Sequence, residues 1–313
     1  MPMEKTDTLV VGAGQAGIAA SEHLGRAGVP HLVLEKNRTA EAWRTARWDA
    51  LVANGPAWHD RFPGLEFEGC APDEFVTKDR FAQYLVDYAA MVEAPIREGV
   101  EVIEAARLPS EGRFLVKTNK GDIQARRIVA ATGAFQHPVI PPIVPAIAGI
   151  TQIHSFHYKN PAQLPEGAVM VVGAGSSGAQ IADELNRAGR KVFLSVGPHD
   201  RPPRRYRGRD FVWWLGVLGL WDVAAPKPGT EHVTIAVSGA YGGRTMDFRR
   251  LGGEGVILTG VTKDYKDGVL GFANNLRANL VAGDANHTSL LDLADAYVIR
   301  TGIDLPKEPE ARQ

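Results

Sequence analysis

Two stretches of the chain repeat one pattern of apolar and polar positions at an offset of 161 residues. A short apolar run at residues 8–11 or 168–172 leads into closely spaced glycines. A helical periodicity comes next and ends in Arg26-Ala27-Gly28 or Arg187-Ala188-Gly189. A second apolar run closes each copy, at residues 31–34 and 191–194. The copies align without a gap, and each reads as strand, turn, helix, strand. Elsewhere, Phe81, Tyr84, Leu85 and Tyr88 predict a helix to about Val92 with Thr77 as its N-cap. Residues 99–103, 114–118 and 122–129 predict an antiparallel meander. Residues 256–258 read as one more strand. Leu290, Leu293, Ala294, Tyr297 and Val298 share one face of a helix over 289–301, and the tail 306–313 reads as polar and frayed.

The turns read Gly12-Ala13-Gly14-Gln15-Ala16-Gly17 and Gly173-Ala174-Gly175-Ser176-Ser177-Gly178. In such a turn the first glycine permits a tight exit from the strand. The second lets backbone approach a pyrophosphate, and the third lets helix and strand pack closely. Free amides at the helix N-terminus, aided by its dipole, receive phosphate charge. A glycine-rich turn that binds nothing is the competing reading, but the strand and helix context is complete in both copies. The expectation is an α/β chain with two Rossmann-like dinucleotide-binding domains, the first carrying the meander. The stiff connector Pro138-Val139-Ile140-Pro141-Pro142 sets a boundary near 145. That gives domains at 1–145 and 146–305, with the tail at 306–313.

The residues at the end of each second strand separate the sites. The first strand ends at Glu35, an acid suited to ribose hydroxyls, which favours FAD or NAD over a phosphorylated ribose. Its gapless partner is Val196, preceded by Ser195, and Arg201-Pro202-Pro203-Arg204-Arg205-Tyr206-Arg207 comes next. Guanidinium suits phosphate, so Ser195, Arg201 and Arg204 are the expected 2′-phosphate contacts of NADPH. The alternative is a solvated basic loop.

Composition narrows the classes. A formal net charge of −1 gives no global field for nucleic acid. The lone Cys70 rules out a disulfide framework and a redox-active cysteine pair, and a cytoplasmic location fits. No signal peptide is visible. The apolar run at 211–221 falls short of a transmembrane span and reads as core or interdomain packing, with a substrate entrance or membrane surface as alternatives. His154 and His157 lack a third ligand nearby, so no metal site is expected.

Together the motifs resemble the flavin-containing monooxygenase family, flavoproteins that include Baeyer–Villiger oxygenases and N-hydroxylases. The resemblance rests on both glycine turns, Glu35, Trp43-Arg44…Arg47-Trp48-Asp49, Ala131-Thr132-Gly133, and Gly149…His154-Ser155-Phe156-His157-Tyr158-Lys159. It implies FAD held by Gly12, Gly14, Gly17, Glu35, Trp43, Arg44, Trp48, Asp49, Val102, Thr132 and Gly133. It implies NADPH on Gly173, Gly175, Ser176, Ser177 and Gly178. It further implies a small-molecule substrate and O2, with one oxygen atom passed to a nitrogen or sulfur nucleophile through a flavin C4a-(hydro)peroxide. Such chemistry asks little of protein side chains, which fits the lack of a triad or acid pair. Asn54 stands where the family places an asparagine near that oxygen adduct and NADP⁺; it reads equally as a turn asparagine before Gly55-Pro56.

The chain departs from the family pattern. Ile147 replaces a phenylalanine, and the spacing from Gly149 to His154 is one residue longer. Glu41-Ala42 precede Trp43 where glycines are common. Tyr158 stands where Baeyer–Villiger enzymes carry tryptophan, which favours heteroatom oxygenation. The family's returning segment of the FAD domain is not seen after Thr259, and Gly283-Asp284 does not replace it. The expectation is the first two-thirds of a monooxygenase, with weak FAD binding. A homo-oligomer or a complementing C-terminal chain would be its partner. A reductase that only moves electrons and a nucleotide-binding paralogue with little catalysis are the rival functions.

Overall fold

Residues 3–109, 112–146, 150–224 and 233–312 are described by the computed structural model, and they divide into two compact units. The linker positions Ile147 and Gly149 lie outside the described residues. The first unit comprises residues 1–51, 61–70 and 76–139. The repeated pattern folds there as β1 (Glu4–Val11), α1 (Gln15–Arg26) and β2 (His31–Leu34). The strands pair in parallel, with Val10 opposite Val33. Neighbouring β1 side chains take opposite faces. Leu9 packs with Leu32, Leu34, Val116 and Ile123, whereas Val10 packs with Ala13 and Val33 beside Leu24 of α1. Burial on both faces explains why the run is continuously apolar rather than alternating.

Residues 39–69 contain two short helices, α2 (Glu41–Thr45) and α3 (Ala57–Asp60). Then comes α4 (Lys78–Met91), capped as expected by Thr77 Oγ1, which accepts from the Arg80 amide. It buries Phe81, Tyr84, Leu85 and Tyr88. The sheet adds β3 (Ile96–Arg97), β4 (Val102–Leu108), β5 (Arg113–Thr118) and β6 (Gly121–Ala130) in the order β3-β2-β1-β6-β5-β4. The meander is antiparallel, as expected, and β6 pairs in parallel with β1. Its first strand is β4, displaced toward the C-terminus from the expected 99–103. The Gly99 φ of +70° belongs to a turn instead. Two-residue β3 carries no periodicity and was invisible in the sequence.

The second unit comprises residues 140–313 together with 52–60 and 71–75, stretches that chain order alone would assign to the first unit. The second copy of the pattern forms β7 (Val169–Val172), α5 (Ser176–Arg187) and β8 (Val192–Ser195). The basic run carries β10 (Arg205–Tyr206) and is flanked by β9 (His199–Asp200) and β11 (Arg209–Asp210). The apolar run then becomes α6 (Phe211–Val217), capped by Asp210, whose carboxylate accepts from the Val212 amide. Trp214 is buried with Tyr206, Leu291 and Ala294, so this part of the run is core.

Beyond it lie β12 (Thr234–Ile235), α7 (Phe248–Gly253), β13 (Ile257–Thr259), β14 (Thr262–Lys266) and β15 (Val269–Phe272). Strand β13 completes a parallel sheet ordered β13-β8-β7.

The last helix, α8 (Leu276–Thr301), starts thirteen residues before the expected 289. Polar and small residues interrupt its apolar stripe because they meet the sheet's end. Asn279 Nδ2 donates to the Val196 carbonyl at 2.9 Å. A Cβ on Gly283 would fall 2.4 Å from His199 Nε2. Gly283-Asp284 is therefore mid-helix. The tail is not frayed over 309–312: it forms a turn of 3₁₀ helix, and Arg312 reaches Asp292 and Asp295 at 2.7 Å. Among the described residues no helix is long and apolar enough to cross a membrane.

Candidate dinucleotide sites

In the first unit the chain leaves β1 through Gly12, whose φ is +106°. A Cβ there would stand 2.4 Å from the Ala131 carbonyl oxygen, and one on Gly17 would stand 1.9 Å from that of Gly12. Both positions exclude any side chain. Gly14 differs, since nothing lies within 4 Å of where its Cβ would be. It is the N-cap of α1 and brings no side-chain cap to the first-turn amides. Open space, bare backbone and free amides meet at one helix N-terminus, the arrangement that receives phosphate.

Glu35 stands just past β2, half-buried. One carboxylate oxygen accepts from the Ala13 amide and the other from the Asn37 amide, both at 2.9 Å. Each oxygen keeps lone-pair capacity for a ribose hydroxyl. Ala131 donates its amide to Val11 at 2.9 Å, so exposed Thr132 and Gly133 emerge beside the glycine turn.

Arg44 on α2 has its Nε buried without a hydrogen-bond partner, an atom that an anionic ligand would satisfy. Trp43 stacks on Phe81 at 4.3 Å. Arg47 lies over Trp43 and Phe135, and burial holds its guanidinium below the ordinary value. Trp48 is buried, Asp49 is exposed, and Val102 packs at the edge of the sheet core. The open Gly14, the acceptors of Glu35 and the orphaned Arg44 Nε fit FAD.

In the second unit Gly173 has φ +98°, and a Cβ on Gly178 would fall 1.9 Å from the Gly173 carbonyl oxygen. Gly175 is the uncapped N-cap of α5. Ser177 is exposed. Ser176 Oγ donates to the Ile235 carbonyl at 2.7 Å and accepts from the Val237 amide at 3.3 Å. The turn, free amides and absence of an acid at Val196 fit a pyridine dinucleotide.

The three expected 2′-phosphate contacts all have partners inside the protein. Ser195 is buried: its Oγ donates to the Gly260 carbonyl and accepts from the Thr262 amide, both at 3.0 Å. Arg201 is drawn to Asp247 at 3.4 Å and Asp284 at 3.1 Å, although its buried Nε has no partner. Arg204 is only 2% exposed and faces inward to Asp210. Two cations three residues apart thus diverge, Arg201 toward Asp247 and Asp284 and Arg204 toward Asp210.

Asn54 belongs to this unit. It is exposed, its Oδ1 accepts from Gln180 Nε2 at 3.0 Å, and its carbonyl accepts from Arg204 Nη1 at 2.6 Å. The next residue supports the turn reading, since the Gly55 amide donates to Asp60 at 3.2 Å. Gln180 was missed by sequence reasoning; the available signal was a polar residue on the apolar face of α5, where it is 7% exposed. His154 Nδ1 accepts from the Phe156 amide at 3.1 Å. Tyr158 is buried, with its hydroxyl 3.1 Å from Glu184.

Comparison with known proteins agrees with this architecture. The family model described as pyridine nucleotide-disulphide oxidoreductase matches residues 9–207. An "uncharacterized oxidoreductase CzcO-like" of Geobacillus kaustophilus (strain HTA426) is 38% identical over 273 residues, which cover 86% of this chain and 76% of that protein. Indole-3-pyruvate monooxygenase YUCCA1 of Oryza sativa subsp. japonica is 36% identical over 195 residues, 60% of this chain and 47% of the relative. The chain thus spans between about half and three quarters of these relatives' lengths.

The solved flavin-containing monooxygenase from Stenotrophomonas maltophilia has the same fold, with a TM-score of 0.59 and 19% identity over 94% of this chain and 99% of that one. With Cys70 as its lone cysteine, this chain has no redox pair of its own to match the disulphide part of the family description. The chain belongs to the pyridine nucleotide-disulphide oxidoreductase family.

Proposed function

We propose that this chain is an NADPH-dependent flavoprotein monooxygenase that passes one oxygen atom from O2 to a soft nitrogen or sulfur nucleophile. The observation that carries the reading is the asymmetry of its two glycine turns. One is paired with a ribose-binding carboxylate, Glu35, and the other has Val196 in that place. The named activity of the rice relative, an indole-3-pyruvate monooxygenase, supports oxygen transfer as the reaction class.

Bound FAD supplies the redox chemistry, taking hydride from NADPH and activating dioxygen. The protein's part is binding and orientation. Gly14 and the first-turn amides of α1 take the FAD pyrophosphate, with Glu35 on the adenosine ribose and Arg44 offering its unsatisfied Nε. Gly175 and the first turn of α5 take the pyrophosphate of NADPH.

The reading is tested by supplying flavin-loaded protein with NADPH, isotopically labelled dioxygen and a panel of amines and thioethers. Label in a product, with NADPH consumed in proportion, is the expected result. NADPH consumption that yields only reduced oxygen species would assign the chain as a reductase.

A further inference from the structure

The orientation of one exposed amide is fixed by a relay that starts at a backbone carbonyl. The Val237 carbonyl can only accept. Gln180 gives it Nε2–H at 2.7 Å, which settles which way the Gln180 amide faces. The same Nε2 gives its other hydrogen to Asn54 at 3.0 Å, so Asn54 must present Oδ1 to it. Asn54 Nδ2, with both hydrogens, then faces away, and none of the described residues accepts from it.

The backbone of Asn54 is held as firmly. Arg204 donates Nη1–H to its carbonyl, and Phe75 and Phe211 cover the guanidinium at 4.3 and 5.1 Å. A Cβ on Gly239 would fall 2.1 Å from the Ala53 carbonyl oxygen, so the neighbouring chain is seated without slack. The relay ends beside the second glycine turn. Ser176, the first residue of α5, binds both Ile235 and Val237, and Gln180 lies one helical turn further on.

We propose that Gln180 is a positioning residue: it turns the Asn54 Nδ2–H donors toward the nicotinamide nucleotide held by the second glycine turn. Arg204 fixes the backbone that carries them. The inference rests on the assignment of NADPH to that turn. It also gives both readings of Asn54 a place, since the turn residue is the one whose amide is aimed.

The test is calorimetric titration of the flavin-loaded full chain with NADP⁺, so that no turnover is needed. The proteins are the parent, Asn54→Ala, Gln180→Glu and the double variant, with thermal melting checked for each. Gln180→Glu keeps the size of the side chain and removes its donors. Each single variant is expected to weaken NADP⁺ about threefold to tenfold, the loss of one neutral hydrogen bond. The double variant should be no weaker than the worse single, because both remove the same contact.

Multiplying losses in the double variant would overturn the relay, as would normal affinity in Gln180→Glu beside weakened Asn54→Ala. If Gln180→Glu fails to fold, Gln180→Met decides instead, since it keeps the length of the side chain and removes the donor to Asn54 without adding a charge. Weakened NADP⁺ with parental melting is then expected, and parental affinity would overturn the proposal. A parent chain that binds no NADP⁺ would overturn the functional assignment itself. A parent that binds, with both single variants unchanged, overturns this inference alone.

Discussion

Arg204 gives two hydrogens to one oxygen of Asp210, from Nε at 2.9 Å and Nη2 at 2.8 Å, with the two side chains 2% and 3% exposed. Burial pulls the guanidinium below its ordinary value while Asp210 holds it up. A pair this dry is costly to leave half-made. Asp210→Ala should destabilise the protein by about 3–5 kcal/mol, read by urea unfolding, because it strands a buried cation. It also removes the cap of α6. Arg204→Lys, if folded, should weaken NADPH and NADH alike. A selective loss of NADPH would return Arg204 to the 2′-phosphate.

The glycines of the first turn should separate folding from binding. Gly14 has a φ of −88°, which alanine adopts, and open space around it. Gly14→Ala should therefore melt like the parent yet purify with little flavin. Gly17→Ala must push against the Gly12 carbonyl and should lose about 1–3 kcal/mol of stability as well. Equal flavin content in Gly14→Ala and the parent would remove the pyrophosphate from this turn.

Glu35→Ala should lower flavin occupancy without changing NADP⁺ affinity. Loss of charge-assisted bonds to ribose costs about tenfold or more in affinity. Some of that loss will come from the turn, since Glu35 also holds the Ala13 and Asn37 amides. Glu35→Gln, which keeps an acceptor at one oxygen, should recover part of the flavin. Unchanged occupancy in Glu35→Ala would defeat the assignment.

His199 gives a pH dependence of defined sign. Burial holds its imidazole below the ordinary value, between the Phe248 ring and Gly283 of α8. In the unfolded chain it protonates near about 6.5. The stability due to its neutral form is complete above that pH. It declines as pH falls from there toward the lower folded value, where the folded chain also takes the proton. Melting temperature should drop between about pH 7 and 5, and His199→Gln should flatten that drop. An identical slope in the variant would place the titration elsewhere.

The shapes of both glycine turns and the place of Glu35 were legible in the sequence because what sets them is local. A missing Cβ, a helix N-terminus and an acid at a strand end are all set by neighbours within the repeat. The long α8 was half legible, since Asn279 and Gly283 break its stripe to meet Val196 and His199, which are far away in the chain. The surroundings of the expected 2′-phosphate contacts were hidden for the same reason. Arg201 and Arg204 look alike in sequence, but Asp247, Asp284 and Asp210 decide where each points. Gln180 carries no motif at all; its meaning comes from Val237 and Asn54, which only the fold brings to it.

The central claim is that the two turns hold two different dinucleotides that exchange hydride. Anaerobic titration of flavin-loaded protein with NADPH tests it most directly. The visible absorbance of oxidised flavin should fall in proportion to NADPH added, reach its end at one equivalent per bound flavin, and return when oxygen is admitted. Flavin that stays oxidised in excess NADPH would contradict the account.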